Sequence, residues 1–525
     1  MYKRQDPYYT LLQRLAEGQA DVLFFSALIW NSDLVERLAV DLLSMDEQLR
    51  IVVGGPQAEI VGQNCADEGR LSIFKGDIEA AAPVFYADLQ EGTLQKSYQA
   101  SFLQSTGRAL GYPYRPGDFF HHLRDRAVYY ESSRGCPFFC SYCLSSAEKG
   151  VFHKDPDQVY AELDDILAHG PKTVRFVDRT FNDNGDRALA IWRWLKDRDP
   201  DTLFHFEIAP DRFTESMFQF LEQVRPGLFQ FEIGIQSTNP QTLAAIRRPM
   251  DSQVAGETIR RLRMNENIHL HADLILGLPF ETRKTCAASI NAIFAMRPHY
   301  IQMGLLKLLP GTALRRQARS WGYKAVRKTP YAVLANRWMD GPTLRAHHWL
   351  GECLEQCVNN RYFPSLWHYF LALGEDMAAF FGFLAARFYE QGYFWKAATQ
   401  KTLVRLLLEE CAGRADFHLI RELICFDWLR CGHRYLPAQL CYQETAVDEL
   451  RRDLYHRLPQ ELGGLYDARG RKTFIKTSVF HYFSAAVLHQ AGLEPHGDRA
   501  LVCFLNERER NVHRLNKVVL MQITD

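Results

Sequence analysis

Along the first hundred residues, short apolar runs alternate with amphipathic stretches. "DVLFFSALI" (residues 21–29) and "RIVVGG" (50–55) read as buried strands, and "LVERLAVDLLSM" (34–45) reads as a helix between them. "LSIFKG" (71–76) fits a third strand. Strand, helix, strand with a Gly-Gly-Pro turn predicts an open parallel α/β sheet. The pattern predicts a helix, Tyr8–Ala16, as the first element. A doubly wound domain normally opens with a strand, so the expectation is an amino-terminally truncated domain lacking its first strand and loop.

Residues 95–126, with "GYPYRPGD", show little periodicity and read as a linker. A regular alternation follows. Strand-like runs occur at "AVYYES" (127–132), "TVRFVD" (173–178), "LFHFEIA" (203–209), "LFQFEIGIQ" (228–236), "IHLHADLILG" (268–277) and "YIQMGLLKL" (300–308). Helical patterns lie between them, such as "DQVYAELDDILAHG" and "TCAASINAIFAM". Six β/α units in series predict a partial (β/α)6 barrel of TIM type, whose chemistry belongs on the loops after the carboxyl ends of its strands. Beyond about residue 324 the strand pattern fades into aromatic-rich amphipathic stretches, with "ALVCFLNE" and "KVVLMQI" adding a strand or two at the end. The expected organisation is an α/β domain over 1–94, a linker over 95–126, the barrel over 127–323 and a mostly helical domain over 324–525.

Composition narrows the function. Sixty-two basic residues balance 62 acidic ones, without the basic excess of most nucleic-acid binders. No apolar run approaches the roughly 20 residues of a membrane span, and "MYKRQDPYYT" has no apolar signal core. The twelve cysteines form no secreted disulfide framework. A reducing cytoplasm is the expected compartment, where clustered thiols hold metal or do chemistry. A small-molecule substrate is the expected partner.

Cys136, Cys140 and Cys143 form C-x3-C-x2-C just after the first barrel strand, hence on the barrel's chemical face. Zinc closes its tetrahedron with four ligands, and ordinary iron–sulfur carriers also take four thiolates. Three thiolates fit a four-iron cube with one iron left open to a small molecule. A closed zinc knuckle or merely buried thiols are the alternatives. Cys353/Cys357 and Cys425/Cys431 read as ordinary buried cysteines, and His347-His348 as helix surface.

The triad, with Gly135 and Pro137 before it and Tyr142 inside the last pair, resembles the signature of the radical S-adenosylmethionine enzymes. Further matches follow in order: Asp178 in "FVDRTF", Glu207 in "HFEIAP", Glu232, Gln236 and Ser237 in "FEIGIQS", Gly277 and Pro279 in "DLILGLPFET", and "LLPGT" at 308–312. The resemblance implies a [4Fe-4S] cluster on Cys136, Cys140 and Cys143. It implies S-adenosylmethionine bound by Tyr142, Asp178, Glu207, Glu232, Gln236 and Gly277. It also implies reductive cleavage to a 5′-deoxyadenosyl radical that takes hydrogen from a substrate, with an external donor such as flavodoxin or ferredoxin. As rim carboxylates, Glu207 and Glu232 have a solvated structural alternative, and Asp273 reads equally as a packed, hydrogen-bonded residue.

Upstream, "FFSALIWN", "VVGGPQAE" and "FKGDIEAAAPVF" resemble a cobalamin-binding domain. That resemblance implies cobalamin at Ser26, Gly54, Gly55 and Gly76, without the Asp-x-His-x-x-Gly motif that supplies a lower cobalt ligand. A tight βα turn that binds nothing is the structural alternative for Gly54-Gly55. The implied activities are a radical enzyme with cobalamin-dependent methyl transfer, a cobalamin-independent radical cyclase or oxidase, and a non-catalytic electron-transfer module. Methylthio transfer to transfer RNA is disfavoured, because it goes with three further amino-terminal cysteines and this region has only Cys65.

Overall fold

The computed structural model describes residues 8–65, 68–146, 148–396, 399–441, 456, 470–509, 512–513 and 515–521. The chain falls into two units: residues 1–122, 131–165 and 306–337 form one, and residues 123–130, 166–305 and 338–525 the other.

In the first unit, β1 (Val22–Ser26), β2 (Arg50–Gly54), β3 (Leu71–Gly76) and β4 (Ser97–Ala100) form a parallel sheet in chain order. One face is covered by the helix Ser32–Met45, which buries Val35, Leu38, Ala39, Leu42 and Leu43 at helical spacing. These pack with Ile51, Val53 and Val61. The helix Tyr8–Ala16 adds Leu12 to the same core. Its Tyr8 hydroxyl donates to Asp41.

Strand β4 lies inside the stretch that reads as a linker. "SYQA" has one large apolar residue and so gives almost no period-2 signal, yet that residue decides the matter. Tyr98 is buried against Phe74 and Phe85. Its hydroxyl accepts the Gln95 N–H (2.7 Å) and donates to Asp88 (2.7 Å). Tyr98→Phe is expected to cost this unit about 1–2 kcal/mol, because it leaves the Gln95 amide unpaired. A urea midpoint unchanged from wild type would contradict this.

The chain then passes through β5 (Val128–Tyr130) and the antiparallel hairpin β6 (Ser133–Cys136) and β7 (Gly150–His153). It continues as β8 (Thr173–Phe176), β9 (Leu203–Ile208), β10 (Phe229–Gln236), β11 (His269–Leu276) and β12 (Tyr300–Leu305). In the second unit β5 and β8 to β12 form one parallel sheet in the order β12-β11-β10-β9-β8-β5. Sequential parallel order is what a barrel wall requires, and the six β/α units are those the periodicity predicts.

Side chains alternate across this sheet. Phe204, Phe206, Phe229 and Phe231 are buried on one face. Trp192, from the helix Gly185–Arg198, packs on Phe206, Phe229 and Phe231. The other face carries His205, Glu207, Gln230, Glu232, His269, His271 and Asp273, the alternate positions of the same strands. Parallel strands covered on both sides usually read as continuous apolar runs. Strands that alternate this way instead line a space built for polar groups.

The carboxy-terminal part of this unit is mostly helical, with Gly341–Leu354, Pro364–Ala372, Met377–Glu390, Gln400–Cys411 and Phe417–Arg430. It ends in a three-stranded antiparallel sheet of Val479–Ser484, Arg499–Arg508 and Asn516–Met521. Cys353, Cys357 and Cys425 are buried and form no disulfide. His347 is buried rather than on the helix surface, with its Nδ1 2.9 Å from the Thr343 carbonyl.

Candidate functional site

The three cysteines sit on a backbone that their neighbours hold fixed. Gly135 has φ +106°, and a Cβ there would lie 2.2 Å from the Gly150 carbonyl oxygen. Only glycine lets the two hairpin strands meet at that point. Cys136 closes the hairpin opposite Gly150. The Cys143 amide donates to the Cys140 carbonyl (3.1 Å), and the Ser146 hydroxyl donates to the Cys143 carbonyl (2.7 Å). The Leu314 amide, just past the "LLPGT" turn, donates to the Ser141 carbonyl (2.8 Å).

None of the three is in a disulfide; Cys140 is buried, while Cys136, Cys143 and the intervening Tyr142 are half-buried. Among the described residues, the set of three His, Cys, Asp or Glu groups whose ligand atoms all lie within 4.8 Å of one another is Glu266, His299 and His513. Three thiolates on one short loop can hold three irons of a four-iron cluster and leave the fourth open.

Two positions before Cys136, Arg134 gathers three carboxylates: Glu131 (2.7 Å), Glu79 (3.0 Å) and Asp77 (3.3 Å). It also lies over the Phe102 ring at 4.9 Å. Burial pushes Glu79 up, but the hydrogen bond and charge of Arg134 outweigh that and bring it below its ordinary value. The "FKGDIEA" turn after β3 is thus tied to the strand that delivers the triad. Sequence reasoning gave Arg134 no role.

In the second unit, the candidate residues lie on the polar face of the sheet or at its strand ends. Asp178 is buried two residues beyond β8. Glu207 and Glu232 are register partners on β9 and β10. Gln236 ends β10 at φ +68° beside a bulge, a strained conformation for a residue with a side chain. Gly277 follows β11 at φ +88°. The loops after β10 and β11 are stitched together: Ser237 donates to Glu281, Thr242 donates to the Pro279 carbonyl (2.9 Å), and Asn239 donates to the Phe280 carbonyl (3.0 Å). Asn182 links the loops after β8 and β9 by exchanging two hydrogen bonds of 2.8 Å with Ala209.

The carboxylates on this face have separated charge states. Glu207 is pushed up to about 7, first by burial and then by Glu232 and Asp178, against the pull of Arg179. The hydrogen bond from His205 (3.1 Å) holds Glu232 below its ordinary value. Burial, then the Glu232 charge, raises Asp273 well above the usual carboxylate range. Asp273 is therefore the protonated partner and donates to Glu232. Three buried polar atoms here have no hydrogen-bond partner: Gln236 Oε1, Asp273 Oδ1 and His205 Nδ1. Unpaired buried polar atoms are costly, and these three gather on one face of the sheet. His205 and His271 were missed from the sequence, although the period-2 pattern of "LFHFEIA" and "IHLHADLILG" puts them beside Glu207 and Asp273.

In the first unit's sheet, Ser26, Gly54, Gly55 and Gly76 lie at the carboxyl ends of β1, β2 and β3, with Ser26 opposite Gly54. A Cβ on Gly55 would lie 2.7 Å from the Ala27 carbonyl, and one on Gly76 1.9 Å from the Ala100 carbonyl. The sheet's own backbone accounts for those two glycines. At Gly54 the nearest atom to an added Cβ is 3.9 Å away, so nothing in the chain itself demands glycine there.

Residues 130–293 match the family model of the Radical SAM superfamily. Residues 319–500 match a model described as a protein of unknown function, DUF4080. An uncharacterized methyltransferase of Pyrococcus horikoshii is 25% identical over 44% of this chain and 49% of its own length. The tRNA-2-methylthio-N(6)-dimethylallyladenosine synthase of Psychrobacter cryohalolentis is 23% identical over 43% and 48%. The chain thus spans about half the length of these curated relatives. Among solved structures, the cobalamin-dependent S-adenosylmethionine radical enzyme OxsB has a similar fold, with TM-score 0.56 and 14% identity over 87% of this chain and 75% of that one.

Proposed function

We propose that this protein, whose residues 130–293 match the Radical SAM superfamily model, generates a substrate radical from S-adenosylmethionine. Cys136, Cys140 and Cys143 would each hold one iron of a [4Fe-4S] cluster. When bound, the cluster supplies the electron that cleaves S-adenosylmethionine and the open iron that anchors it. The observation that carries this reading is the triad itself: three cysteines within eight residues, none in a disulfide, on a loop that follows a glycine-locked hairpin strand.

Tyr142, Asp178, Glu207, Glu232, Gln236 and Gly277 are proposed to bind S-adenosylmethionine. The unpaired Gln236 Oε1 supports this, as does the ionised Glu232, which His205 keeps charged. Glu207, near neutrality at pH 7, can take on charge beside the cosubstrate's ammonium group. Stitching of the strand-end loops keeps these groups oriented without reorganisation. The substrate is proposed to be a small molecule, and the reductant an external flavodoxin or ferredoxin.

We further propose that cobalamin binds along β1 to β3, at Ser26, Gly54, Gly55 and Gly76, and makes methyl transfer the outcome. Support comes from the open backbone at Gly54 and from Trp30, 77% exposed in the loop after β1, which offers an apolar platform. OxsB's description as cobalamin-dependent adds to this.

The test is anaerobic reconstitution with iron and sulfide, reduction, and addition of S-adenosylmethionine, with 5′-deoxyadenosine as the expected product. A colourless, zinc-filled protein that forms none would overturn the radical reading. Absence of a corrin band shift on titration with hydroxocobalamin would remove the cobalamin half alone.

A further inference from the structure

On the polar face of the barrel sheet, two buried acceptors are left over once the strand ends are assigned to S-adenosylmethionine. His205 on β9 is 5% exposed, and its Nδ1 has no hydrogen-bond partner. Asp273 on β11 has none for Oδ1. Glu232 on β10 joins them, 3.1 Å from His205 Nε2 and hydrogen-bonded to Asp273. Asp178, Gln236 and Gly277 lie at or just beyond the strand ends. His205 is three residues short of the end of β9, and Asp273 three short of the end of β11. At about 3.3 Å per residue, both sit about 10 Å deeper in the barrel.

What Glu232 takes from each neighbour fixes what is left open. A carboxylate only accepts, so His205 gives it the Nε2 proton and the neutral ring keeps its lone pair on Nδ1. Asp273, held protonated by burial and by the Glu232 charge, gives it the Oδ2 proton, and Oδ1 stays a carbonyl acceptor. Both open atoms are therefore acceptors. Only a group with at least two N–H or O–H donors satisfies them together, and leaving them bare is costly.

Charge selects among such groups. The cations on the β8 side, Arg175 and Arg179, are exposed to solvent. Arg248 acts on Asp273, and Arg361 acts on His269 and His271 toward the strand starts. The charge hydrogen-bonded to both acceptor side chains is the Glu232 carboxylate, which favours a cation over an anion. An ammonium group carries three donors and no lone pair, whereas a hydroxyl brings lone pairs against those of His205 and Asp273. The face is open to an incoming molecule, because Arg175 and Gln302, the register partners of His205 and Asp273, are exposed.

Resting on the reading of this face as the active site of a radical enzyme, we propose that the substrate is an amine whose ammonium group donates to His205 Nδ1 and Asp273 Oδ1 beside Glu232. This is a separate site from that of the cosubstrate's own ammonium group beside Glu207.

Calorimetry on the full chain, reconstituted but not reduced, tests this with n-butylamine, n-butanol and butyrate, probes of one size that differ in the headgroup. n-Butylamine is expected to bind in the millimolar range, n-butanol about tenfold more weakly, and butyrate not at all. Saturating S-adenosylmethionine should not displace n-butylamine. Asp273→Leu removes one acceptor and should weaken n-butylamine about tenfold or more. Asp273→Asn restores an Oδ1 acceptor and an N–H for Glu232, and should recover that binding. If the leucine variant does not fold, His205→Phe removes the other acceptor and should cause the same loss. No binding of n-butylamine at millimolar concentration, equal affinity for n-butanol or butyrate, or affinity indifferent to the acceptor-removing substitutions would overturn the proposal. So would displacement by S-adenosylmethionine, which would give both acceptors to the cosubstrate. The radical reading fails separately, on absence of 5′-deoxyadenosine, whether or not n-butylamine binds.

Discussion

Cys143→Ala is expected to abolish both the brown iron–sulfur absorbance and formation of 5′-deoxyadenosine, while leaving the protein folded. The side chain is half-buried in a loop outside any core cluster. The loop's shape depends on backbone groups that alanine retains: the Cys143 amide to Cys140, and the Cys143 carbonyl to Ser146. The loss should therefore fall on iron and not on fold. Removing a residue that only orients a metal ligand typically costs about 10- to 100-fold, so removing a ligand should cost at least about 100-fold in cleavage. The exposed free thiol Cys441 supplies the control, and Cys441→Ala should keep full iron content and activity. Iron and sulfide analysis, with 5′-deoxyadenosine measured alongside, separates the outcomes. Full cleavage by the Cys143 variant would mean that the triad is not the cluster site.

The barrel was legible because its strands combine two signals, an apolar face repeated every second residue and regular spacing by helical segments. Six such runs in series leave few alternatives, and the ends of the observed strands fall within three residues of the ends of the apolar runs. The elements that escaped lacked one of those signals. Strand β4 is four residues long with one apolar side chain, so its existence depends on the tertiary burial of Tyr98. The β6–β7 hairpin is held by Gly135 at a positive φ against Gly150, and "SRGC" carries no periodicity to announce it. At the site, motif resemblance picked out Glu207 and Glu232 but passed over His205, which sets the charge of Glu232. A motif records the residues that touch a ligand, while the partners that tune them become visible only once strands are in register. The same limit applies to Arg134, whose three carboxylates lie from three to 57 positions away in sequence.

Glu207→Gln is expected to stabilise the ligand-free protein at pH 8 by about 3 kcal/mol and to leave it nearly unchanged at pH 4. The carboxyl is raised from its ordinary 4.5 to about 7 in the folded state, chiefly by burial. Between pH 4.5 and 7 the folded protein therefore holds a proton that the unfolded chain has lost. Stability contributed by the neutral carboxyl is complete below pH 4.5, falls as pH rises through that window, and is gone above about 7. At 1.36 kcal/mol per pKa unit, the burial of a charged Glu207 costs about 3 kcal/mol at pH 8. Glutamine has no proton to lose and does not incur it. Urea unfolding of the barrel unit at both pH values measures the difference, and equal stability of the two proteins at pH 8 would mean that Glu207 is a solvated rim carboxylate after all. The same titration has a functional consequence under the proposed role. S-adenosylmethionine brings a positive charge that favours ionised Glu207, so its affinity should rise with pH up to about 7 in the wild type and stay flat in the glutamine variant. A residue placed only for packing would not produce that contrast, because its removal would shift affinity equally at every pH.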